Sequence, residues 1–85
     1  PGPADQRITL TLDRSAAWVA DYYPVESAQP GPDGAQMVTL RTADTEWIVR
    51  LVLRLGGAAR VVDPAGLDEV VQERAQSALT AYGPD

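Results

Sequence analysis

Arginine is the only side chain here whose number and placement suggest chemistry. The 85-residue chain holds seven arginines against twelve acids, with no lysine, histidine or cysteine. Without histidine it lacks the commonest general base and metal ligand. Ser15, Ser27 and Ser77 therefore have no base to activate them as nucleophiles. Without cysteine there is no thiolate, disulfide or thiolate-bound metal. A metal site of Asp and Glu alone remains formally open, but the sequence holds neither EF-hand spacing nor a clustered-carboxylate motif. The sequence therefore predicts no catalytic residue, no metal and no cofactor, and the chain reads as a non-enzyme. Anion recognition remains, because a guanidinium forks onto carboxylate or phosphate. The candidates are Arg7, Arg41 and Arg60, with Arg50 and Arg54 as an i, i+4 pair.

The net charge of −5 argues against indiscriminate binding to duplex nucleic acid, whose phosphates demand summed positive charge. Hydrophobic residues make up 45% of the chain, ordinary for a globular domain, and they are mostly aliphatic. No apolar run approaches the ~20 residues that span a bilayer. The opening PGPADQ lacks the basic start and apolar core of a secretory signal. Residues 1–6 read as a linker and 7–85 as one domain, a piece of a larger cytoplasmic protein.

These arginines need elements to place them. Arg7 to Leu12 alternates, with Ile8, Leu10 and Leu12 on one side, the pattern of a half-buried strand. Asp13 can cap a short helix over Arg14 to Tyr22, which Pro24 closes. Val25 to Gln29 is a weaker strand, followed by the turn PGPDG and a second alternating strand, Gln36 to Thr42. Asp44 can cap a helix whose Trp47, Ile48, Leu51, Val52 and Leu55 form one apolar stripe. Gly56-Gly57 supplies a left-handed stop. Ala59 to Asp63 then forms a strand, and Pro64 opens a final helix lined by Leu67, Val70, Val71, Ala75, Ala78, Leu79 and Tyr82. The order β-α-β-β-α-β plus a C-terminal helix predicts an α+β fold, a ferredoxin-like split β-α-β sandwich. Its four-stranded antiparallel sheet carries helices on one face.

The other sheet face meets water or a partner. Alternation places Arg7, Thr9, Thr11, Met37, Thr39, Arg41, Arg60 and Val62 there, a set without an acid in an acidic chain. Three readings fit this set: a wetted face, a docking surface, or a site for a small anionic ligand or single-stranded nucleic acid. Trp47 belongs to the core stripe. Trp18, Tyr22 and Tyr23 cluster at a helix end, suited to packing or to an interface. Arg50 and Arg54 suit a solvated helix face or an interface.

Three segments, AAWVADYYPVE (Ala16 to Glu26), VTLRTADTEWIVRLVLRLGGAARVVDP (Val38 to Pro64) and LDEVVQERAQSALTAY (Leu67 to Tyr82), resemble one known family. It is the C-terminal extension (WCX) domain of WYL-domain transcriptional regulators, with wording closest to actinobacterial members. The resemblance implies a parent with an N-terminal winged helix-turn-helix that reads DNA and a central WYL domain. It also implies a role for this end in regulating the WYL domain and in homodimerisation, with a nucleic-acid or small-molecule effector. It supplies no agreed functional residues, so the arginine assignments rest on the sequence reading alone.

Overall fold

A computed structural model describes residues 5–82. The chain runs β1 (Gln6–Leu12), α1 (Val19–Tyr22), β2 (Ser27–Pro30), β3 (Gln36–Thr42), α2 (Glu46–Leu55), β4 (Ala59–Asp63) and α3 (Ala65–Tyr82). The sheet order is β2-β3-β1-β4, and every neighbouring pair is antiparallel. Each β-α-β crossover therefore skips one strand, which the other crossover fills. This is the expected split β-α-β sheet.

Alternation along β1 and β3 decides which face is covered. Ile8, Leu10 and Leu12 are buried, as are Val38 and Leu40 opposite them and Ala59 and Val61 on β4. Ile48, Val49, Leu51 and Val52 of α2 close over this face, with Ala16 and Val19 from the α1 region and Val71 from α3. No polar or charged residue among those described is buried in this core.

Caps and turns set the boundaries. The Asp13 carboxylate accepts from the Ser15 backbone N–H at 2.8 Å and from the Ser15 hydroxyl at 2.6 Å. These bonds favour the ionised form and hold the Asp13 pKa below its ordinary value. The Asp44 carboxylate accepts from the Glu46 N–H at 2.9 Å, so it serves the first turn of α2. Helix α2 stops at Gly56, whose φ of 63° and ψ of −135° are costly for any residue with a Cβ. In the PGPDG turn the left-handed positions are Asp33 and Gly34.

Four expectations needed adjustment. The helix read over Arg14 to Tyr22 divides into a 3-10 turn at Arg14–Ala16 and the single α-turn of α1. Pro64 stands just before α3 instead of opening it, and its carbonyl accepts from the Leu67 N–H at 3.1 Å. The apolar stripe assigned to α3 is only partly covered. Val71 is buried and Leu67 and Ala75 are half-buried, but Val70 and Ala78 are exposed. The side chains of Leu79 and Tyr82 lie outside the described residues. Strand β2 is also shifted, to Ser27–Pro30, and all four of its residues are exposed, as suits a short edge strand.

Candidate interaction surfaces

The fold divides the five candidate arginines among three places. Arg7 and Arg41 are register partners on β1 and β3, so their side chains leave the same corner of the open sheet face. Arg60 pairs with Thr11, four residues further along β1 and about 13 Å away by strand rise. Arg50 and Arg54 are on the exposed side of α2, remote from the sheet's open face.

The open face is not free of acid. The Glu26 carboxylate reaches Arg7 Nε at 3.1 Å through Oε1 and Arg41 Nε at 3.3 Å through Oε2. The open-face set read from the sequence took no residue from the weak strand at Val25 to Gln29, so it left out Glu26, which the structure places just before β2. Between this corner and Arg60, Thr9 and Thr39 face each other with hydroxyl oxygens 3.2 Å apart. Met37 is 44% exposed on the same face.

Arg60 is committed elsewhere. It reaches Asp68 on α3, with Nη2 to Oδ2 at 3.2 Å. Its side chain also lines a groove of about 320 Å³ with Val52, Gly57, Val71 and Ala75. The Arg60–Asp68 pair therefore ties the edge strand to α3.

On the helical layer, Arg74 of α3 forks onto both oxygens of Glu46 at the start of α2. The bidentate bond, reinforced by the nearby charges of Arg74 and Arg50, holds Glu46 below the ordinary glutamate pKa. The same pair holds Arg74 above its ordinary value. Arg50 and Arg54 have no ion pair among the described residues. The pH consequence follows from the depressed folded pKa. The contribution of this pair is complete above about pH 4.3, the ordinary glutamate value. It is lost as pH falls through the lower folded value. The urea midpoint of the wild-type chain should drop on the acid side of that window, and Glu46→Gln should remove part of the drop. Equal acid-side slopes for the two proteins would contradict the assignment.

The third surface is aromatic. Tyr23 stacks on Trp47, with centroids 5.4 Å apart and planes inclined by 30°. Trp47 is fixed in turn, its indole N–H donating to the Thr42 hydroxyl at 3.0 Å. Tyr22 meets Tyr23 edge-on at 4.9 Å, and Trp18 meets Tyr22 edge-on at 5.9 Å. The row starts half-buried and ends in the open: Trp18 is 47% exposed and Tyr22 73%. The short α1 explains why. One turn of helix can bury Val19 but cannot also turn its outer aromatics toward the core.

The chain matches the WCX domain family over residues 4–79. It is 38% identical over 74 residues to Protein PafC of Mycobacterium tuberculosis, which covers 87% of this chain and 23% of that protein. Protein PafC of Mycobacterium leprae matches to the same extent. Among solved structures, Proteasome accessory factor B/C (PafBC) of Arthrobacter aurescens superposes with a TM-score of 0.87 at 32% identity. That match covers 99% of this chain and 13% of the other. The chain thus spans about a quarter of the length of the curated relatives it matches. The matched residues, the order of elements and the superposition agree: this chain belongs to the WCX domain family, the C-terminal extension domain of WYL-domain transcriptional regulators.

Proposed function

We propose that this chain is the regulatory and dimerisation module of a cytoplasmic, DNA-binding regulator of the WYL family. It works by docking, with DNA contact left to an N-terminal domain. The observation that carries the reading is the exposed Trp18–Tyr22 pair, seated on the rigid Tyr23–Trp47 stack. Large aromatics held in place lose little freedom on binding, and such residues dominate interface energetics. Two neighbouring aromatics this exposed suit a surface that a partner covers.

The occupant is a WYL domain within the parent dimer. The family pairs the two domains in one polypeptide, and the relatives carry most of their length outside the matched segment. Arg50 and Arg54, exposed on α2 and in no ion pair among the described residues, add positive charge to the same helical layer. An effector that favours one docking geometry over another would shift their populations by its differential affinity for the two. The test is a Trp18→Ala, Tyr22→Ala double variant of the full-length regulator. Full dimer formation and a full transcriptional response in that variant would overturn the reading.

A further inference from the structure

The corner where β1 meets β3 sets two guanidinium groups side by side. Arg7 and Arg41 are directly opposite in register, an arrangement that repels unless an anion is shared. Glu26 supplies that anion, and the geometry leaves much of the donor capacity unused. Arg7 donates its Nε–H to the carboxylate, while Arg41 Nε stands 3.3 Å from the other oxygen as an ion pair. A guanidinium has five N–H donors, so about four on Arg7 and all of those on Arg41 have no hydrogen-bond acceptor among the described residues. One row along the same face, the Thr9 and Thr39 hydroxyls share one hydrogen bond. That bond uses one of two O–H protons, and the other is free to donate.

Two further facts make Glu26 a replaceable occupant. It stands outside β2, and its backbone N–H bonds the Thr39 carbonyl at 2.7 Å. The side chain can therefore swing away without breaking the ladder. The three charged groups also remain in contact with water, with side-chain exposures of 60% for Arg7, 35% for Arg41 and 40% for Glu26.

We propose that Arg7 and Arg41 form an oxyanion site that Glu26 fills in cis, and that the external ligand is the phosphate group of a small molecule. A carboxylate offers two oxygens to this cluster, whereas a phosphate offers more and can engage the unused N–H groups and the free hydroxyl proton. Glu26 is the resident competitor. It sets the ligand concentration at which the site opens. This site is separate from the aromatic patch, so its failure would leave the docking proposal untouched.

The experiment titrates the 85-residue chain with inorganic phosphate at constant ionic strength. Arginine Nε–H resonances of Arg7 and Arg41 are the readout, with acetate as the carboxylate control. Removing an intramolecular competitor by Glu26→Gln should tighten phosphate binding by on the order of tenfold. Arg41→Ala in the Glu26→Gln background should abolish it. A melting midpoint for each variant confirms that it is folded. Glu26→Gln binding phosphate no tighter than wild type would overturn the proposal, as would acetate binding it as tightly as phosphate. Glu26→Ala provides a second removal of the carboxylate, and it should give the same tightening.

Discussion

Leu10→Ala is expected to remove a large share of the domain's stability, about 2–5 kcal/mol. Leu10 lies in the central strand, opposite Val38 on one side and Val61 on the other, with no exposed surface. Truncating a buried leucine costs about 2–5 kcal/mol, and more where the surroundings cannot collapse into the cavity. An 85-residue domain has about 4–13 kcal/mol in total, at about 0.05–0.15 kcal/mol per residue. The walls around Leu10 are strands β3 and β4 and the rigid stripe of α2, so collapse is limited. Thr11→Ala, one residue on but on the opposite face, should cost within about 0.5 kcal/mol. Urea unfolding followed by far-UV circular dichroism separates the two outcomes. Equal shifts would show that the sheet does not have one covered face and one open face.

Trp18→Ala with Tyr22→Ala has the largest expected functional effect. Aromatic anchors at interfaces each contribute about 2 kcal/mol or more, which is about a thirtyfold change in docking affinity. The double variant of the full-length regulator should therefore lose its effector response. The same substitutions in the 85-residue chain should lower its melting temperature far less than Trp47→Ala does, because Tyr22 is mostly exposed, Trp18 is about half exposed and Val19 holds α1 to the core. Trp47→Ala is the contrasting case. It removes the Tyr23 stacking partner and the bond to Thr42, so it should destabilise the isolated chain directly. If the double variant melts as early as Trp47→Ala in isolation, Trp18 and Tyr22 are packing residues and the functional reading fails.

Much of the architecture was legible from periodicity. The alternation of Ile8, Leu10 and Leu12 and the stripe from Trp47 to Leu55 each exclude the competing secondary structure, and both elements formed as read. Asp13, Asp44 and Gly56 also worked as local signals, because capping and left-handed turns depend on near neighbours. The misread features depend on long-range contacts. Nothing local shows that Val70 and Ala78 would stay exposed, since that depends on how far α2 extends beneath α3.

The candidate sites divide along the same line. The open face and its residues followed from strand parity. The electrostatic pairing did not, because Glu26, Asp68 and Glu46 reach their arginines across 8 to 28 residues of sequence. The aromatic row was visible as a cluster of Trp18, Tyr22 and Tyr23. Its division into an anchored end and an exposed end emerged only once α1 proved to be a single turn.

The central claim is that the aromatic end of this domain, and not its open sheet face, meets the WYL domain. Hydroxyl-radical footprinting compares the two surfaces in one experiment, because both carry reactive side chains. Trp18 and Tyr22 report on one, and Met37 reports on the other. In the full-length regulator, relative to the 85-residue chain, Trp18 and Tyr22 should oxidise several-fold more slowly while Met37 keeps its rate. Protection of Met37 with Trp18 and Tyr22 unchanged would contradict the claim and place the contact on the sheet.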